Sequence, residues 1–124
     1  MKKNDMVLDV LRKASKGLRY TSETEAELTP FVWENGGELT PERLRQRTGA
    51  ATRTPVEETT LDGFFRAVPS EDKAKFQELA HVLKDQLSDI KVYKLGEEAE
   101  KEVYIVGRTT DGRWAGLRTR VVET

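Results

Sequence analysis

Two stretches near the end of the chain decide the fold: Glu102-Val103-Tyr104-Ile105-Val106-Gly107-Arg108-Thr109 and Arg113-Trp114-Ala115-Gly116-Leu117-Arg118-Thr119-Arg120-Val121-Val122. Between them stands Asp111-Gly112, a dipeptide that suits the left-handed backbone of a tight hairpin turn. Both stretches therefore read as strands of one antiparallel pair. Val103, Tyr104, Ile105 and Val106 are consecutive apolar residues. Successive side chains of a strand point to opposite faces, so such a strand must be covered on both sides. Lys91 to Leu95 adds a further strand. Two helical layers around this sheet give an α+β fold, an α/β/α sandwich with a mainly antiparallel sheet.

Working outward, the helices for those layers are legible. Asp5 to Lys16 places Val7, Val10, Leu11, Ala14 and Leu18 at helical spacing, with Gly17 as a stop. Thr40-Pro41 starts a short helix, Thr as cap and Pro at the first helical position, and Gly49 ends it. A small turn or helix is expected around Asp62-Gly63-Phe64-Phe65. Ser70 is expected to cap a second long helix with Glu71 and Asp72 in its first turn; Phe76, Leu79, Ala80, Leu83 and Leu87 form its stripe. Phe31-Val32-Trp33 before Asn35-Gly36-Gly37 reads as a strand and a turn. Ala50 to Thr60 reads as polar, extended chain. Tyr20 to Pro30, with Glu23, Glu25 and Glu27 alternating, reads as an acidic loop, extended at most at its start. There is no internal repeat and no low-complexity segment.

The chain has 124 residues, the size of one domain, and residues 1–124 are expected to form one. Charged residues make up 35%, yet the signs nearly cancel to -1. A nucleic-acid binder usually carries a basic excess, and an acidic mimic of DNA a large deficit, so any electrostatic function must be local. With no cysteine, disulfides and thiolate metal sites are unavailable, which fits a reducing compartment. Leu8, Val10 and Leu11 are interrupted by Asp9 and Arg12, too short an apolar core for a secretory signal. The start therefore reads as mature, cytosolic sequence, and no run approaches a membrane span.

Catalysis finds few candidates. His81 is the only histidine. At about 100° per residue it stands roughly 140° from Phe76, around which the apolar stripe centres, so it reads as an ordinary solvated residue. One histidine and no cysteine leave no common metal cluster and few nucleophile–base arrangements. No phosphate-binding or dinucleotide glycine pattern is present. Trp33 and Trp114 have the size to anchor an interface, although such residues are more often core or sheet-face residues. Arg118 and Arg120 share a strand face with Trp114 and Val122, for which a solvated sheet face is the ordinary reading.

Two segments are less ordinary. Thr21-Ser22-Glu23-Thr24-Glu25 gathers hydroxyls and carboxylates where packing residues are few, though composition alone favours a solvated loop. The sequence closes on Val122-Glu123-Thr124. A terminal Thr carries a carboxylate and a hydroxyl, hard oxygen ligands of the kind Mg²⁺ or Ca²⁺ accepts. On the residues alone, that remains the end of a strand.

Several short pieces stand in a distinctive order. They are Ala14-Ser15-Lys16-Gly17-Leu18 leading to Ser22-Glu23, Phe31-Val32-Trp33-Glu34, Phe64-Phe65, and Ala74-Lys75-Phe76-Gln77. Val92-Tyr93-Lys94-Leu95-Gly96-Glu97 and Val103-Tyr104-Ile105-Val106-Gly107 continue it, and Ala115-Gly116-Leu117 with Thr119-Arg120-Val121-Val122-Glu123-Thr124 closes it. Each piece is short, but in this order, over nearly the whole chain, they resemble a known family, the bacterial nuclease A inhibitors, most closely in the last piece.

The resemblance implies an α/β/α sandwich that is not an enzyme and has no cofactor. It implies a protein that blocks a Mg²⁺-dependent, sugar-non-specific endonuclease cutting DNA and RNA, without binding nucleic acid or membrane itself. Partner-binding residues would be Ser22, Glu23, Glu123 and Thr124. Glu23 would pair with an arginine of the nuclease, and Thr124 would reach the nuclease's metal, so the inhibitor needs no metal of its own. One departure is visible: only Arg66-Ala67-Val68-Pro69 separates Phe65 from Ser70, where some members carry a longer acidic and aromatic segment. The alternative is a protein of the same fold with a different protein partner.

Overall fold

A computed structural model describes residues 3–21, 25–34, 38–96 and 99–123, with side chains from Met6 onward. The main sheet has five strands: β3 (Thr29–Trp33), β4 (Val56–Thr59), β5 (Ser88–Leu95), β6 (Glu100–Arg108) and β7 (Trp114–Val122). Their order is β3-β7-β6-β5-β4, and every neighbouring pair is antiparallel. The expected hairpin is its centre: Arg108 pairs with Trp114, and Gly112 turns with a φ of 84°.

Both faces of that centre are buried, as the run Val103–Val106 requires. Val92, Val103, Ile105, Ala115, Leu117 and Val121 point to one side and Tyr93, Leu95, Tyr104, Val106 and Trp114 to the other. The first side is covered by α1 (Lys3–Ser15), α3 (Leu61–Arg66) and α4 (Lys73–Gln86). Leu11, Phe64, Phe65, Phe76, Leu79 and Leu83 fill the space between. The second side receives the short α2 (Pro41–Thr48), which inserts Leu44 beside Leu39. Among the described residues the sandwich is thus unequal, with three α-helices on one face and one on the other. The Thr40 cap and the Gly49 stop of α2 stand as expected: Thr40 Oγ1 accepts from the Arg43 N–H at 3.2 Å, and Gly49 has a φ of 75°. His81 is exposed on α4. Among the described residues, no helix is long and apolar enough to cross a membrane.

Two expectations need correction. The described residues of the Tyr20–Pro30 segment are mostly strand. β1 (Arg19–Thr21) and β2 (Glu25–Glu27) form a second, two-stranded antiparallel sheet, and β3 begins two residues later. The alternation that looked merely acidic is the period of a half-buried strand, with Glu25 and Glu27 exposed and Ala26 turned inward. The start of the long helix also differs. Ser70–Asp72 is a 3₁₀ turn in which the Asp72 N–H reaches the Pro69 carbonyl at 2.9 Å, and no side chain caps either that turn or α4. Pro69 already fixes an extended entry, so the chain tightens into a 3₁₀ turn without using Ser70.

Candidate functional site

The β1–β2 hairpin is tied to the core by one residue. Tyr20 is buried, its ring stacks on Phe64 at 4.1 Å between centroids, and its hydroxyl donates to the Phe64 carbonyl at 2.7 Å. Burial, with the negative charge of Glu123 as a second cause, pushes the Tyr20 hydroxyl up to about 12. The hairpin also meets β7, where the buried Thr119 donates its hydroxyl to the Ala26 carbonyl at 3.4 Å.

Register gives the direction of the hairpin. Thr29 lies opposite Arg118 and Pro30 opposite Leu117, so stepping back along β3 means stepping forward along β7. β2 continues β3 backwards and therefore runs towards the C-terminal end of β7. Ser22, Glu23 and Thr124 lie outside the described residues. Thr21 and Glu25, which bracket residues 22–24, pair with each other on the hairpin that runs alongside the end of β7.

Of the four residues singled out from sequence, Glu123 is described, and its carboxylate is engaged within the protein. Lys94 Nζ on β5 donates to Glu123 Oε2 at 2.6 Å, and Lys101 Nζ on β6 donates to Oε1 at 2.8 Å. The backbone is held too, the Glu123 N–H donating to the Ala99 carbonyl at 2.8 Å. The hydrogen bonds from Lys101 and Lys94 lower the Glu123 carboxyl below its ordinary range, and the Lys101 ammonium is raised by the same contact. Neither lysine stood out in the sequence. Lys94 falls inside a predicted strand where a solvated cation is unremarkable, and nothing local links it to a residue 29 positions away.

Between the hairpin and β7 lies an open polar groove of about 470 Å³, whose walls carry Arg19, Glu25, Glu27, Glu102, Arg118 and Arg120. Its charges are interleaved: Arg19 pairs with Glu27 at 3.4 Å, and Arg120 with Glu100 at 3.3 Å. Arg118 and Arg120 are exposed, as expected of a solvated sheet face. The tryptophans join the second core cluster. Trp114 is buried under the Arg108 guanidinium, 4.7 Å from the ring centroid, and Trp33 packs against Phe31 and Tyr104. Among the described residues, no group of three or more His, Cys, Asp or Glu could hold a metal ion.

The described residues thus bring an open groove of interleaved charges and the doubly held Glu123 carboxylate together beside the end of β7. A family model described as nuclease A inhibitor-like protein matches residues 5–124, while no curated protein matches the chain. The match spans both helical layers, the hairpin and all five strands of the main sheet, and the chain belongs to the nuclease A inhibitor-like family.

Proposed function

We propose that this protein, acting as one domain over residues 1–124 in the cytoplasm, binds and blocks the active site of a Mg²⁺-dependent, sugar-non-specific bacterial endonuclease. It needs no cofactor and catalyses nothing. A nuclease cleft is shaped for phosphate, with cationic side chains and a metal whose waters exchange. Glu23, with Ser22 beside it, pairs with an arginine of that cleft. Thr124 supplies oxygen to the nuclease-bound Mg²⁺, a hard cation that accepts such ligands. The observation that carries the reading is the course of β2 alongside the end of β7, which supports a single contact surface including both segments.

Titration of the purified protein into several such nucleases tests the proposal. Full inhibition at one equivalent is expected, and activity unchanged across the panel would overturn it. Glu23→Ala should weaken binding by about 2–5 kcal/mol, because an arginine is left unpaired inside the interface. Deletion of Thr124, or extension beyond it, should weaken binding and reduce its dependence on Mg²⁺ in calorimetric titrations run with metal and with chelator. An extended protein that binds like the parent in both conditions would exclude the metal contact.

A further inference from the structure

The Glu123 carboxylate is the most heavily engaged acidic group near the proposed contact surface, and what engages it belongs to the protein itself. Each of its oxygens accepts from a different lysine, at 2.6 and 2.8 Å, and the two lysines come from neighbouring strands. Only 17% of the Lys94 side chain and 22% of the Lys101 side chain are exposed. Partial burial lets such pairs hold geometry better than a fully solvated pair does. Register places Lys94 opposite Val103 and Lys101 opposite Val121, on the face of the sheet that α1, α3 and α4 cover. There they reach a residue just past the last hydrogen-bonded pair of β7, Glu100 with Val122.

We infer that Lys94 and Lys101 are positioning residues for nuclease binding: through Glu123 they fix the direction in which the chain leaves β7, and Glu123 is an internal anchor instead of a ligand for the partner. This rests on the inhibitor reading above. A strand end normally frays, because its last residues have few partners. Here the backbone bond to Ala99 and the two ammonium groups hold the residue that precedes Thr124. A terminus aimed in advance loses less conformational freedom on binding.

Positioning and simple charge attraction predict effects of opposite sign. Removing a lysine makes the inhibitor more negative, and a Glu123 that contacted a cationic cleft directly would bind it better once released. Positioning predicts the reverse. The test measures nuclease inhibition by Lys94→Met, Lys101→Met and the double variant, with Lys94→Arg and Lys101→Arg as charge-retaining controls. Each change is repeated in protein lacking Thr124, and amide exchange at Glu123 is followed in the free proteins. Expected are faster Glu123 exchange and an inhibition constant weakened about tenfold in the double variant, with smaller losses in the Arg controls. Without Thr124, the lysine changes should cost nothing further. If the parent inhibits no nuclease, the inhibitor reading falls and the positioning role with it. If the parent inhibits and the double variant matches or exceeds it, or loses as much without Thr124 as with it, only the positioning role is overturned.

Discussion

The central strands β6 and β7 are held together at their two ends by different means. At one end the chain closes on itself through Thr109–Arg113. Thr109 Oγ1 accepts from the Arg113 N–H at 2.9 Å, and the Asp111 carboxylate accepts from the Thr109 hydroxyl and from Arg113 Nε at 3.0 Å. Glu34 adds a contact to Arg113 at 3.2 Å. At the other end the strands separate, and order comes from far along the chain: Lys94 and Lys101 on Glu123, and Tyr20 beneath the hairpin. A turn closed by residues within a few positions of one another needs little loop-closure entropy to form. The open end relies on contacts that exist only once the whole sheet is assembled.

The difference can be broken most severely at Tyr20, the hairpin's tie to the core. Tyr20→Ala should cost about 3–5 kcal/mol, read from chemical denaturation, because a buried, stacked ring is lost. Tyr20→Phe should cost only about 1 kcal/mol, the value of one buried hydrogen bond. Equal losses in the two variants would show that the hydroxyl, not the ring, holds the hairpin.

Gly116 lies two residues past Trp114 on β7, opposite Val106, and a Cβ there would run into the Ile105 carbonyl of the neighbouring strand. Gly116→Ala should cost about 3 kcal/mol and loosen both ends together, because separation of the central strands is the only relief. Native-state amide exchange would locate the effect. Faster exchange confined to one end would mean that the ends are more independent than one continuous sheet allows.

A milder change sharpens the contrast at the closed end. Its hydrogen bonds hold the Asp111 carboxyl at about 2, down from an ordinary 3.8. A depressed carboxyl stabilises the fold above its unfolded value, and that stability is lost as the pH falls towards the folded one. Melting temperature should therefore drop between about pH 4 and pH 2 partly through Asp111, and Asp111→Asn should remove that part. An unchanged acid profile in the Asn variant would show that the turn is held by its backbone alone. The smallest effect is expected away from both ends: His81→Ala should change stability by no more than ~0.5 kcal/mol and leave inhibition as it was. Loss of inhibition in this variant with the fold intact would extend the contact surface to α4.

Most of the architecture could be read from residues close together in sequence. The Asp111-Gly112 turn, the doubly apolar Val103–Val106, the Thr40 cap and the Phe76–Leu83 stripe each state a local preference that the assembled fold keeps. Sequence and structure part where composition and period disagree. The acidic composition around Glu25 and Glu27 suggests a solvated loop, yet their period-two spacing around Ala26 belongs to a strand, and the deciding partner, β7, lies more than ninety positions away. Ser70 looked like a cap because its type and place were right, while Pro69 before it set another entry.

The candidate site divides in the same way. Sequence alone marked the unusual oxygen-rich segments, Ser22-Glu23 and Glu123-Thr124, because residue type and a family's order of motifs are local properties of a chain. It also determined that the sheet must be buried on both faces and closed by a hairpin, since backbone alternation and turn chemistry follow from neighbouring residues. Only the tertiary structure decided that β2 runs back along β7 and that Lys94 and Lys101 meet on Glu123. Those are pairings across 22 to 29 positions and more, set by strand order and register, and no local preference of the side chains involved encodes them.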